Sequence, residues 1–269
     1  MANRYLDGVD VGRKPIRAVW GIPLWVTLSL CFIGVFFAWD GWLVAMFGLA
    51  SLAIIVAMVM SQRGGKDVRL GIELANLERM RGQLEPATER IRGLLGKRTA
   101  GHIKAILLLA LGECAEAAGD FAEAADVFAR GEGLLRAERR TIVHNQLLPL
   151  FGARRAFALA ACGLVDPAEA ALRSTEHKDG FPQAAALASR AAILIDTKKG
   201  RFADVRDRVA RERALHRNAF GARDRAFVRV AGALAKAKLS GASERSSVAD
   251  PVLREWIARA LPEGQAVLS

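Results

Sequence analysis

The sequence predicts an all-α protein: a transmembrane helical hairpin, then a soluble stack of about five antiparallel helix pairs. Three observations carry this. Two long uncharged runs lie close together near the start. Glycine-marked turns then recur at Gly82, Gly119, Gly163, Gly200 and Gly241, at intervals of 37, 44, 37 and 41 residues. Between them the apolar residues follow helical spacing rather than strand alternation. The expected organisation is a basic segment over 1–18, the hairpin over 19–60, a linker over 61–66, the helical domain over 67–262 and a tail over 263–269.

The first run, Val19 to Trp39, has 21 residues without a charge, and the second, Leu43 to Met60, has 18. At a helical rise of about 1.5 Å per residue these reach roughly 31 and 27 Å, close to the thickness of a hydrocarbon core. Only Asp40 and Gly41 stand between the flanking Trp39 and Trp42. Asp-Gly is a turn pair, and tryptophans beside it suit a membrane interface, with Trp20 marking the opposite one. Arg13, Lys14 and Arg17 precede the first run, Arg63, Lys66 and Arg69 follow the second, and the turn has no basic residue. The positive-inside rule therefore puts both termini and the helical domain in the cytoplasm. Arginine outnumbers lysine 30 to 9, a bias of GC-rich bacterial genomes, so the expected location is a bacterial inner membrane.

The clearest downstream unit is Leu111 to Phe128. Gly112 and Ala115 allow close approach of two helices. Gly119 and Asp120 end one helix and begin the next. Ala124 is a small contact point on the second helix, and Phe121 and Phe128 fill the groove between neighbours. Leu111-Gly112, Ala115, Gly119-Asp120-Phe121, Ala124 and Phe128 at this spacing resemble the tetratricopeptide repeat. Gly82, with Leu74-Ala75 and Ala87, and Gly200, with Phe202 and Val205, match the pattern in part. Around Gly163 the Glu169-Ala170 pair falls two residues late, and Gly241 separates an alanine-rich helix (223–239) from a terminal one (251–261). The resemblance implies a right-handed α-solenoid with a concave face. It places Arg69, Asn76 and Arg79 of the first repeat, Glu113 and Glu116 of the second and Arg190 of the fourth on that face. Family members that clamp a C-terminal carboxylate present Lys, Arg and Asn where the best repeat here has Ile106, Leu109 and Ala110, which argues against that mode.

Net charge is +11, and residues 1–60 hold four basic and three acidic side chains, so +10 of it lies beyond the hairpin. Such an excess suits an anionic neighbour, with bilayer headgroups the nearest. Nucleic acid is a less economical partner. Phe202 to Arg217 reads as one basic helix with a buried stripe at Phe202, Val205 and Val209. The cysteines Cys31, Cys114 and Cys162 form no paired framework and read as buried free thiols. The four histidines are isolated, no phosphate-binding loop or nucleophile elbow is present, and Gly131-Glu132-Gly133 reads as a break between helices. No catalytic, cofactor or metal site is expected, and the chain reads as no enzyme.

The expected function is a membrane-anchored interaction scaffold that recruits a protein partner through a groove. The alternative is a structural subunit of a membrane machine. Arg13-Lys-Pro-Ile-Arg17, Gly21-Ile-Pro23 and Lys66-Asp-Val-Arg-Leu70 around a short hairpin resemble the small two-span inner-membrane component of type IV secretion systems.

Overall fold

A computed structural model describes residues 3–6, 68–97, 101–137, 142–175, 182–241 and 245–268. The expected hairpin, with Trp20, Trp39, Trp42, Asp40 and Cys31, lies outside the described residues. Among the described residues no helix is long and apolar enough to cross a membrane. They are all-helical, with no strand and one isolated parallel bridge, Ser246 to Leu268.

The chain divides into two compact units at Gly101/His102, and residues 3–6 belong with the second. The sequence reading had placed the first helix pair in one domain with the rest. In the first unit, α1 covers residues 68–80 and α2 Leu84–Leu95. The pair approaches closely because Gly71 has no side chain: a Cβ there would sit 2.7 Å from Leu94 Cδ1. Arg90 clasps Glu78 across the turn. Leu70, Leu74, Leu77 and Met80 form an exposed apolar stripe along α1.

The second unit contains α3 (Gly101–Ala118), α4 (Phe121–Ala137), α5 (Ile142–Ala161), α6 (Val165–Arg173), α7 (Pro182–Lys198), α8 (Phe202–Arg211), α9 (Arg213–Ala219), α10 (Ala222–Ser240) and α11 (Pro251–Ala260). The reading of one basic helix over 202–217 is corrected: α8 and α9 meet at Glu212, whose backbone leaves helical geometry (φ −98°, ψ 15°). Asp250 caps α11, its carboxylate accepting from the N–H groups of Val252 at 2.9 Å and Leu253 at 3.4 Å, and Pro251 occupies the first turn where its missing N–H costs nothing. Residues beyond α11 are no loose tail. Pro262–Val267 form a 3-10 turn against α10, with Val267 buried.

The positive-φ residues among those described are Gly82, Gly119, Gly163, Gly200 and Gly241. At the first four the local hydrogen bonding is the same. The glycine N–H bonds back three residues and the next N–H bonds back five, as in Asp120 N–H to Ala115 C=O at 2.9 Å and Leu164 N–H to Leu159 C=O at 3.0 Å. This is the Schellman end, in which the left-handed residue turns the chain and satisfies the last carbonyls. The next helix starts within two residues. Gln83, Leu164 and Arg201, the residues that lead into it, share one backbone conformation, with φ between −84° and −80°. The fifth residue after each glycine is fully buried: Ala87, Ala124, Ala168 and Val205. The small contact residue of the third turn is therefore Ala168, in register, and Ala170 is exposed. Gly241 differs, with a single bond from its N–H to Ala237 C=O at 3.0 Å.

Two glycines inside helices act as sockets. A Cβ on Gly112 would lie 2.3 Å from the ring of Phe128, and one on Gly131 would lie 2.2 Å from the ring of Phe151. Gly131 and Gly133 thus sit within α4 and mark no break: the ring of Phe151 takes the space of the missing side chain, while buried Glu132 pairs with Arg136 at 2.5 Å and Arg155 at 3.0 Å. Leu111, Ala115 and Phe128 are fully buried, and Phe121 nearly so. Cys114 is buried, but Cys162 is exposed, because it stands just past the end of α5 beside Gly163.

Candidate interaction site

Glu113, Glu116 and Arg190, three of the six residues placed on a concave face, come together in the second unit, but under cover. α3 carries Glu113 and Glu116 one turn apart. Arg154 comes from α5, Arg190 from α7, and Arg223 and Asp224 from the first turn of α10. Glu116 Oε2 accepts from Arg154 Nη1 at 3.0 Å, and its Oε1 lies 2.9 Å from Arg190 Nη1 and 3.1 Å from Arg223 Nη2. Arg154 Nη2 also meets Glu113 Oε1 at 2.5 Å, and Arg190 pairs with Asp224. Three carboxylates thus face three guanidinium groups. Glu116 and Arg190 are fully buried.

The last helix closes this cluster. Trp256 of α11 donates its indole N–H to Glu116 C=O at 2.6 Å and stacks on Phe157 with centroids 6.0 Å apart. Phe121 and Phe227 meet it edge-on. The Arg190 guanidinium lies 3.9 Å over the Phe157 ring, and that of Arg223 lies 4.8 Å over Trp256. Such cation–π contacts strengthen when desolvated. They help to hold Arg190, whose Nε and Nη2 have no hydrogen-bond partner among the described residues. Burial pushes the Glu116 carboxyl up, but Arg190, Arg154 and Arg223 outweigh it and hold it well below the ordinary carboxylate range. Asp224 follows the same pattern, burial being overcome by Arg190 and Arg223. Sequence spacing could not reveal that Glu116 faces three arginines from three other helices.

Arg69, Asn76 and Arg79 sit on α1 in the first unit. Arg69 is exposed and pairs with Glu73 one turn on, and Arg79 Nη2 lies 3.4 Å from Asn76 Oδ1.

An open groove runs between α8–α9 on one side and α10 and the segment after it on the other. Its volume is about 950 Å³. Arg206, Arg213 and Arg217 line one wall, Arg225, Arg229 and Lys236 the other, and Arg245 closes one edge, all of them exposed. Val209, Val228, Gly232 and Leu253 form an apolar floor. No carboxylate is among the lining residues, and Arg213, Arg217, Arg225, Arg229 and Arg245 make no ion pair among the described residues. The 202–217 segment was singled out in sequence as basic, but three of its five arginines are neutralised. Arg208 faces Asp196 and Glu212, Arg206 faces Asp207, and Arg211 faces Glu212. Arg225, Arg229 and Lys236 were missed, although their spacing on α10 puts them on one stripe.

His216 borders the groove. Its Nε2 lies 2.7 Å from Ser189 Oγ, its ring stacks on Phe220, and burial, only partly opposed by Glu212, lowers its pKa and keeps it neutral. Among the described residues no group of His, Cys, Asp or Glu is placed to hold a metal ion.

The described residues define an all-helical fold with a closed ionic core and an open basic groove. Compared with known protein families, curated proteins and solved structures, the chain matches none.

Proposed function

We propose that this chain is a membrane-anchored interaction scaffold, in which residues 19–60 hold a tetratricopeptide-like helical array at a bilayer and the array captures a protein partner. The observation that carries this reading is the turn built four times, at Gly82, Gly119, Gly163 and Gly200, each followed by a helix with a buried contact residue at the same place. Repetition of one helix–turn–helix unit is how solenoids generate extended binding surfaces.

Two further observations support the membrane part. Asn3 to Leu6 pack on the start of α4, although residues 10–101 intervene. Tyr5 Oη donates to Asp120 Oδ2 at 2.6 Å, Asn3 Nδ2 donates to Glu123 C=O at 3.0 Å, and Arg4 pairs with Asp120 and Glu123. Burial and the bond to Asp120 push the Tyr5 phenol up. With the hairpin in a bilayer, a segment ahead of it that docks on the domain behind it fits the two crossings of a hairpin. The apolar stripe on α1, directly after the second uncharged run, also suits a surface beside lipid.

Reporter fusions at Met1, in the Asp40-Gly41 turn and at Ser269 test the anchor. Cytoplasmic signals at both ends with an external turn support the reading, and an external C-terminus sinks it. Photo-crosslinking from Arg217 in intact membranes tests the scaffold. A discrete adduct of substoichiometric occupancy is expected, whereas a fixed-stoichiometry complex with no free pool favours the structural-subunit reading.

A further inference from the structure

We infer that the basic groove of the second unit binds an acidic amphipathic helix of a partner protein, an inference that deepens the scaffold reading and rests on it. Charge comes first. Five arginines face the groove without a carboxylate to neutralise them, while those of the Glu116 cluster are fully compensated. Exposed cations of one sign along one groove make a positive field that an anionic partner meets favourably. The occupant is therefore acidic.

Shape and floor then choose among anionic partners. A bilayer surface is flat on this scale and would meet only the rims. A single nucleic-acid strand is held by base stacking on aromatic rings, and no Phe, Tyr or Trp lines this groove. The floor is apolar instead, and it is kept low by Gly232, where a Cβ would stand 3.3 Å from Val209 Cγ1. On α10, Arg225, Arg229 and Lys236 alternate with Val228 and Gly232 at steps of three and four residues, the spacing with which one helix meets another. An incoming helix with an apolar stripe flanked by Glu or Asp satisfies floor and walls together. Glu116 and Arg190, first expected to meet a partner, are fully buried, whereas this groove is open.

The test uses the full chain in nanodiscs of neutral phosphatidylcholine. The probe is a fluorescein-labelled peptide of about five helical turns, with Leu at helical spacing and Glu elsewhere, read by fluorescence anisotropy. A scrambled peptide of identical composition, single-stranded DNA and phosphatidylglycerol vesicles are the comparisons. The striped peptide is expected to bind saturably and better than the scrambled one, and Arg225→Glu with Arg229→Glu is expected to weaken it roughly tenfold or more. Arg225→Gln with Arg229→Gln, which adds no charge, gives the same direction if the reversal disturbs folding. No binding, or equal binding of the scrambled peptide, overturns the inference. So does tighter, equally arginine-dependent binding of DNA or of phosphatidylglycerol vesicles. None of these failures removes a discrete crosslinked partner, so the scaffold reading stands or falls separately.

Discussion

Arginine does two different things in two neighbouring regions of this molecule. In the cluster under Trp256, Arg154, Arg190 and Arg223 are drawn from three helices onto Glu116, Glu113 and Asp224, and desolvation makes each partner indispensable to the others. In the groove beside α10, arginines of the same intrinsic character stand in water with no carboxylate opposite them. The first arrangement spends its charge on holding helices together. The second keeps its charge available. Burial and pairing, not residue type or local sequence, separate a structural arginine from one that is free to meet a partner.

That contrast is broken most severely at its centre. Glu116→Gln leaves three guanidinium groups short of a buried charge and should destabilise the second unit by about 3–5 kcal/mol, measured by chemical denaturation. Trp256→Ala removes the lid and the indole bond to Glu116 C=O. A loss of about 3–5 kcal/mol from cavity formation should be joined by greater hydrogen exchange at the start of α10. Gly131→Ala forces a methyl into the ring of Phe151 and should cost about 1–3 kcal/mol. Gly163→Ala has open space around its Cβ, so its cost is the left-handed backbone alone, about 1–2 kcal/mol. Arg225→Glu with Arg229→Glu should change stability by less than about 0.5 kcal/mol while it weakens the acidic probe.

Acid sharpens the same comparison. Glu116 and Asp224 have folded-state pKa values below their ordinary ones. Their stabilisation is complete above the unfolded-state carboxylate range, near pH 4–4.5, and is lost as pH falls below it. Glu116→Gln should therefore flatten the acid limb of stability against pH. Reversal of the groove arginines should leave that limb unchanged.

How much of this was legible follows from how local each feature is. The glycines at 82, 119, 163, 200 and 241 were marked in sequence because a left-handed helix end needs them whatever surrounds it. The stretch from Leu111 to Phe128 was legible for the same reason, since its contacts join two consecutive helices. Errors arose where tertiary context overrode a local signal. Gly131 and Gly133 look like a break, but Phe151 fills the socket inside a continuous helix. Around Gly163 the Glu169-Ala170 pair read as two residues late because Glu-Ala was matched as a word, whereas the backbone register selects Ala168. Glu113, Glu116 and Arg190 were three of six residues that the repeat resemblance placed on a concave face, but nothing in the sequence says that Trp256 of α11 packs over their cluster. The groove escaped because its charge is a difference between residues: Arg213, Arg217, Arg225, Arg229 and Arg245 matter only once Asp196, Asp207 and Glu212 are seen to neutralise Arg206, Arg208 and Arg211.

Thermal unfolding of the full chain and of two variants, followed by far-UV circular dichroism, tests the division between spent and available arginines most directly. Glu116→Gln should lower the midpoint of the second unit by on the order of 10 °C. Arg225→Glu with Arg229→Glu should leave it within about 2 °C. A groove variant as destabilised as the Glu116 variant, or a Glu116 variant that melts with the native chain, would contradict that division.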